Sequence, residues 1–310
     1  MTKTSATIQG SRSGQRGFIV VAALWLLAAL AALALVSSAY MTQSAISLAA
    51  LDAPVQLGMI SSAGVEMTAY RLSAPAAVSR PTHGGFAFRL ANASVTIEYQ
   101  AESARINLNM APQSMISGLF SALGIEPDTA GQLANRVVAW RSAPRHNGQD
   151  SEDALYVAAG LNYLPRHAPF SSVDELALLL GAPATLLQQA RPYLTVYSGT
   201  AAINVLDAAP QVISALPEMS STKLDAFLNQ RDSLPSTDPE FVLGALGGRV
   251  AGASVAGSDA YRVRMQIILP DGRKSISEGV IMLSGPGAKT AYRVLTWRDE
   301  IDPATGAAQR

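Results

Sequence analysis

Between Phe18 and Val36 the chain runs through 19 residues, FIVVAALWLLAALAALALV, without a single charge. As a helix this segment is about 28 Å long at ~1.5 Å per residue, which matches the ~30 Å hydrocarbon core of a bilayer. Lys3, Arg12 and Arg16 precede it, and the first acid is Asp52. A basic leader of this kind stays cytoplasmic and sends the downstream chain to the other side. From Phe18 to Ala53 there is neither Gly nor Pro, so the helix should continue for about 54 Å. Pro54 is expected to kink or briefly interrupt it. Apolar residues Leu57, Ile60, Val65, Met67 and Leu72 then recur near the helical period. The first element thus has a membrane half and an amphipathic half, a geometry that an ordinary anchor with a helical stalk would share.

Three readings of the leader compete. A secretory signal peptide would be cut after a small residue such as Ala39, but 19 apolar residues exceed the usual h-region of roughly 7–15. A plain signal anchor would stay uncut. The junction Arg16-Gly17-Phe18 favours the third: a polar leader ends in Gly and the apolar helix begins at once on an aromatic residue. A prepilin peptidase cuts at such a site, on the cytoplasmic face. Gly17 and Phe18 are therefore the candidate processing residues.

Composition narrows the function. Of 310 residues, 49% are apolar and 15% charged, against a usual charged share of ~25%, so the chain is not intrinsically disordered. Twenty-three basic and 23 acidic residues cancel, whereas a general nucleic-acid binder carries a basic excess. The absence of cysteine excludes thiol catalysis, disulfides and Cys-based zinc sites. His83, His146 and His167 are the only imidazoles. No P-loop, G-x-G-x-x-G, H-E-x-x-H or G-x-S-x-G occurs. The adjacent carboxylates Asp174 and Glu175 point in different directions on a helix and read as capping and solvated groups. An enzyme is not expected.

The body has two textures. Phe86–Leu90 and Val95–Tyr99 alternate apolar and polar residues around Asn92, a turn residue. Tyr261–Ile267, Ile276–Leu283 and Tyr292–Trp297 complete about five strands, with a hairpin turn at Pro270-Asp271-Gly272-Arg273. Between the β groups, from about Pro112 to Leu246, helices are expected over Gln113–Leu123, Pro127–Arg141, Ser172–Leu180, Pro183–Leu194, Gln211–Leu216 and Ser220–Asp232. Ser172 and Glu175 form a capping box, and Asp128 is the expected cap of the Pro127 helix. The fold class is α+β: a long N-terminal helix on an antiparallel sheet, with a large helical insertion between strands. A weak repeat lies inside the insertion, where INLNMAPQ from Ile106 resembles INVLDAAPQ from Ile203. Asn107 and Asn204 are expected to bridge a strand end to the loop before a helix.

The resemblance here becomes specific. QRGFIVVAALWLLAALAAL from Gln15, RINLNMAP from Arg105, APFSSVDEL from Ala168 and ARPYLTVYSGTAAINVLDAAPQVISAL from Ala190 resemble the general secretion pathway protein K family, the large minor pseudopilins of type II secretion systems. The likeness runs from Gln15 to about Thr296. It implies a leader at 1–17, a membrane and pilin helix at 18–72, a pseudopilin β core from 80–104 with 255–298, and an insertion domain at 105–250. It implies cleavage by prepilin peptidase between Gly17 and Phe18, and methylation of Phe18. It also implies a single-pass inner-membrane protein with a periplasmic body. Its place is the pseudopilus tip, beside minor pseudopilins I, J and H and the major pseudopilin, in the export of folded proteins across the outer membrane. Major pilins carry Glu at the fifth mature position; counted from Phe18, that position here is Ala22. A carboxylate in the membrane needs a partner, and a subunit lacking it cannot make the usual pairing with a neighbour's N-terminus.

The segment from Asn147 to Tyr156 groups Asp150, Glu152 and Asp153. It lacks the EF-hand pattern, but the family resembles it in this acidic loop and is associated with calcium, which takes six to eight oxygens. A solvated acidic loop is the plain alternative, and a zinc site from His146, His167 and Asp150 is a further one. Two other functions remain open: a simple signal-anchored periplasmic protein, and a membrane-tethered helix-hairpin-helix DNA binder. The latter rests on Leu123-Gly124-Ile125 and Leu180-Gly181-Ala182 lying between short helices; residues 105–245 lack the basic excess it would need.

Overall fold

The computed structural model describes residues 15–73, 80–144, 151–285 and 287–301. The chain divides at Met59/Ile60 into two units. Helix α1 (Gln15–Ser73) begins in the first and ends in the second. In the first unit, the 24 residues Phe18–Met41 are long and apolar enough to cross a membrane. Phe18, Trp25, Leu33 and Tyr40 are all exposed there, a surface that suits lipid rather than water. The helix passes through Pro54 without the expected interruption. One proline removes one i→i−4 hydrogen bond, and the turns on either side keep the rest.

In the second unit the last turns of α1 bury Ile60, Ser61, Val65, Thr68, Ala69 and Leu72. Their spacing of three and four makes one stripe. A Cβ on Gly64 would lie 2.3 Å from Met265 Sδ and 3.0 Å from Ile97 Cδ1. The bare glycine lets the helix settle on the sheet, at the ~0.5–1 kcal/mol cost of Gly in a helix.

The strands are β1 (His83–Leu90), β2 (Ala93–Ala101), β3 (Ile106–Asn107), β4 (Leu194–Thr195), β5 (Ile203–Asn204), β6 (Ala253–Ser254), β7 (Ala260–Ile268), β8 (Lys274–Leu283) and β9 (Tyr292–Ile301). The main sheet has the order β1-β2-β7-β8-β9 and every neighbouring pair is antiparallel. Ala91 and Asn92 turn β1 into β2 with φ of 50° and 63°, the left-handed pair a two-residue hairpin needs. Gly272, with φ of 82°, serves the β7–β8 turn.

Strand alternation gives the sheet two unlike faces. On one, the aligned row Phe86, Ile97, Met265, Ser277 lies beneath α1, and the Ser61 and Ser277 hydroxyls are 3.3 Å apart. On the other, Gly85, Glu98, Arg264, Glu278 and Arg298 form a row of alternating charge.

Between β2 and β7 lie helices α2 (Gln113–Ala122), α3 (Pro127–Arg141), α4 (Ser151–Ala158), α5 (Leu186–Ala190), α6 (Pro210–Ser214), α7 (Ser221–Gln230) and α8 (Pro239–Ala245). They enclose one hydrophobic cluster, including Met115, Phe120, Val137, Trp140, Tyr156 and Phe227. β3 pairs in parallel with β4, and β5 with β6. Four local expectations need correction. Ser172–Leu180 is a 3-10 turn over Val173–Leu178: Ser172 caps Asp174 N at 3.1 Å, but Glu175 accepts from Ser171 N, so the capping box is incomplete. Pro183–Leu194 shortens to α5 because the chain must extend at Leu194 to pair with Ile106. Glu126, not Asp128, caps α3 by accepting from Thr129 N at 2.9 Å. The supposed acidic loop contains α4, whose first-turn Glu152 and Asp153 suit the positive end of a helix. Helix α8 was not anticipated, although Asp238 before Pro239 is a legible start: its side chain accepts from Phe241 N at 3.0 Å.

Candidate functional site

Gly17 and Phe18 both lie within α1, and Phe18 is 77% exposed. Residues 1–14 of the expected leader lie outside the described residues. Ala22 falls one turn into the apolar segment.

Where the insertion joins the sheet, the contacts are polar. Glu102, directly after β2, has a fully buried side chain. It receives Arg262 Nε at 2.9 Å, Arg105 Nη1 at 3.4 Å and the Thr195 hydroxyl. It therefore ties β7 of the sheet to β4 of the insertion and to Arg105, the residue before β3. Arg262 also reaches Glu278 at 3.2 Å. Burial pulls the Arg262 guanidinium down, but Glu102 and Glu278 outweigh it and hold the pKa above its ordinary value. Burial wins at Arg105, which is lowered despite Glu102. The second crossing is fastened by Ser103 N donating to Ser258 Oγ at 3.1 Å. Nearby, Tyr261 donates to Pro81 O at 3.0 Å, and burial pushes its pKa up to about 12.

Each outer strand also meets the insertion. His83 Nδ1 of β1 lies 2.6 Å from Asp207 Oδ1. Arg298 Nη2 of β9 donates to Asp174 Oδ2 at 2.7 Å, while Arg191 holds the other oxygen of Asp174. Beside the His83–Asp207 contact a cavity of about 600 Å³ opens over Glu98, Arg262, Arg264 and Glu278, walled on the insertion side by Leu206 and Arg231. Sequence reasoning set Asp174 and Glu175 down to capping and solvation. In the fold Asp174 bridges two arginines, and Glu175 accepts from Ser171, Trp140 Nε1 and Arg166. Burial raises the Glu175 carboxyl, but those hydrogen bonds and Arg166 prevail and leave its pKa below the ordinary range.

Of the candidate metal ligands, Asp150 and His146 lie outside the described residues. Glu152 Oε1 lies 3.6 Å from Arg136 Nε, and Asp153 Oδ1 lies 2.8 Å from His167 Nε2. Among the described residues no three His, Asp or Glu side chains are grouped as metal ligands. Glu102, Asp207 and His83 were not singled out as a constellation, because each acts with partners far away in sequence.

Residues 90–199 match the family model for the type II secretion system (T2SS), protein K. No curated protein matches the chain. Among solved structures, a chain in the crystal structure of the GspK-GspI-GspJ complex from the type 2 secretion system of enterotoxigenic Escherichia coli is similar, with a TM-score of 0.57 and 16% identity, covering 84% of this chain and 100% of that one. At that identity the likeness is one of fold. The resemblance to the protein K family read from the sequence holds, and the fold is the α+β, pilin-like one that it implied.

Proposed function

We propose that the chain acts as a protein K-type minor pseudopilin at the tip of a type II secretion pseudopilus, where it initiates and caps the fibre for export of folded proteins across the outer membrane. The role is one of assembly rather than catalysis. The observation that carries it is a pilin-like helix and sheet bearing an insertion with a hydrophobic core of its own. Such bulk beside the sheet supports the capping role, in which it would bar a further subunit above it. Ala22 supports the terminal position, since it offers no carboxylate to a neighbouring N-terminus.

The apolar end of α1 anchors the chain once in the inner membrane, with the leader cytoplasmic and the body periplasmic. Prepilin peptidase removes residues 1–17 and Phe18 is methylated. The partners are minor pseudopilins I, J and H, the major pseudopilin, the peptidase and membrane lipid. The similar solved chain, in complex with GspI and GspJ, supports the first two. Mass spectrometry of the N-terminal peptide from membranes tests processing: a start at Phe18 with one added methyl is expected. A start near Tyr40, or an intact leader, overturns it. Gly17→Phe should accumulate as full-length precursor.

Calcium at Asp150, Glu152 and Asp153 belongs to the same proposal. As placed, Glu152 and Asp153 face Arg136 and His167, so the described part of the segment does not by itself make a calcium site. Six to eight oxygens are needed, and residues 145–150 would have to supply most of them. Calorimetric titration with calcium decides the matter, and no heat at millimolar calcium removes this part of the reading.

A further inference from the structure

The sheet and the insertion bury separate sets of apolar residues, and what joins them is graded from dry to wet. At the crossing, Glu102 is fully buried with two arginines and a hydroxyl. Away from it, the contacts reach water. His83 is 69% exposed where it meets Asp207, whose own side chain is only 2% exposed, so water reaches this contact from the sheet side alone. Asp174 and Arg298 are 42% and 47% exposed where they meet. These two contacts engage the first and last strands of the sheet, so the insertion is fastened at both margins, and a polar cavity of about 600 Å³ lies beside the His83–Asp207 contact. Water and salt weaken contacts of that exposed kind far more than buried ones. Polar interfaces between bodies with their own cores also permit relative motion.

We infer that this cleft opens: the insertion swings about the Glu102 crossing, and Asp207 and Asp174 are the two catches that hold it closed over the charged face of the sheet. The chain segments beside Glu102 and Ser258 absorb the rotation, as hinge segments at element ends do. Opening widens the polar cavity over the charged face without disturbing either core. This inference does not depend on the place of the chain in a pseudopilus.

The chain has no cysteine, so spin labels can be placed at will on the full-length protein in detergent. Asp225→Cys marks the insertion and Lys274→Cys the sheet; both residues are exposed. The catches are removed from the sheet side, by His83→Ala with Arg298→Ala in a Gln100→Ala background, because Gln100 Nε2 also donates to Asp207 O at 3.0 Å and replacing Asp207 would disturb the Asn204 turn. Electron double resonance should show a dominant short distance with a minor longer component for the parent, and that component should rise about tenfold in the double variant, the response expected of a population held by contacts of this strength. A single unchanged distance in a folded double variant overturns the inference. Should that variant fail to fold, the parent decides it: raising salt to about 1 M cuts the screening length to ~3 Å and must bring up the longer component. An unchanged distance there is equally fatal.

Discussion

At Asn107 and Asn204 the chain makes the same turn twice. Each side-chain oxygen accepts from the backbone two residues on, at 2.8 Å from Asn109 N and 3.0 Å from Leu206 N. Each backbone carbonyl accepts from two further N–H groups, those of Met110 and Ala111 in one case and Asp207 and Ala208 in the other. In both, the next residue donates to a parallel partner strand at 2.9 Å. What differs is where the amide nitrogen points. Asn107 Nδ2 donates to Ser198 Oγ at 3.0 Å, inside the insertion. Asn204 Nδ2 donates to Asp207 Oδ2 at 2.8 Å, and the other oxygen of Asp207 meets His83 on the sheet. The partner strand follows suit: Leu194 and Thr195 are buried, Ala253 and Ser254 only half so. One local motif thus closes a core in the first copy and presents a carboxylate to a neighbouring layer in the second.

This contrast can be broken by measurement. The first copy is fastened to Glu102 through Thr195. Glu102→Ala strands Arg262 and Arg105 without their buried partner and should cost about 3–5 kcal/mol in chemical denaturation. A loss under about 1 kcal/mol, the size of a surface pair, would mean that the buried contact carries no special weight. Asn107→Ala should cost about 2–3 kcal/mol, because it orphans the Asn109 N–H and takes from Ser198 Oγ the donor it accepts, leaving that hydroxyl only its bond to Thr200 O. Asn204→Ala should cost about 1–2 kcal/mol, since Asp207 keeps His83; equal losses at the two asparagines would erase the distinction. His83→Ala should cost about 1 kcal/mol, since it takes one partner from the buried Asp207 carboxylate while Asn204 Nδ2 keeps the other oxygen.

The smallest effect is one of pH. Glu175, which has no counterpart in the second copy, has a depressed pKa when folded. Its contribution is therefore present above the unfolded carboxyl value of ~4.3 and is lost as pH falls through the folded value. Trp140 donates to Glu175 at 3.1 Å, so its fluorescence, with Trp25 and Trp297 replaced by Phe, should report early loosening in acid. Glu175→Gln should flatten that response, and an unchanged acid profile in this variant would count against the assignment.

The parts legible in the sequence are those whose cause is local. The five long strands announced themselves by alternation, α3 by Pro127 at its start, and the two turns by the repeated Ile-Asn and Ala-Pro-Gln. Two-residue strands such as β4 and β6 are too short for any period to show, and they exist because a distant segment pairs with them. Glu102 sits in the unremarkable run Gln100-Ala101-Glu102-Ser103-Ala104, and its importance comes from Thr195 and Arg262, 93 and 160 residues away. Asp174 looked like a capping group for a similar reason: its arginines, Arg191 and Arg298, come later in the chain. Glu152 and Asp153 suggested a loop because acids also favour helix starts, and the two uses look alike in one dimension.

The chain leaves the sheet after Ala101 and returns before Tyr261, and those two residues are register partners on adjacent strands. The ends of the insertion are therefore side by side. Joined directly by a tight turn, β2 and β7 would form a hairpin, and the order β1-β2-β7-β8-β9 would read as a plain up-and-down meander. In topological terms the whole helical body is a graft at one hairpin tip, removable on paper without cutting any ladder of the host sheet. A shortened chain of this kind would be an ordinary small pilin-like domain, and everything that sets this protein apart from one enters and leaves through a single doorway.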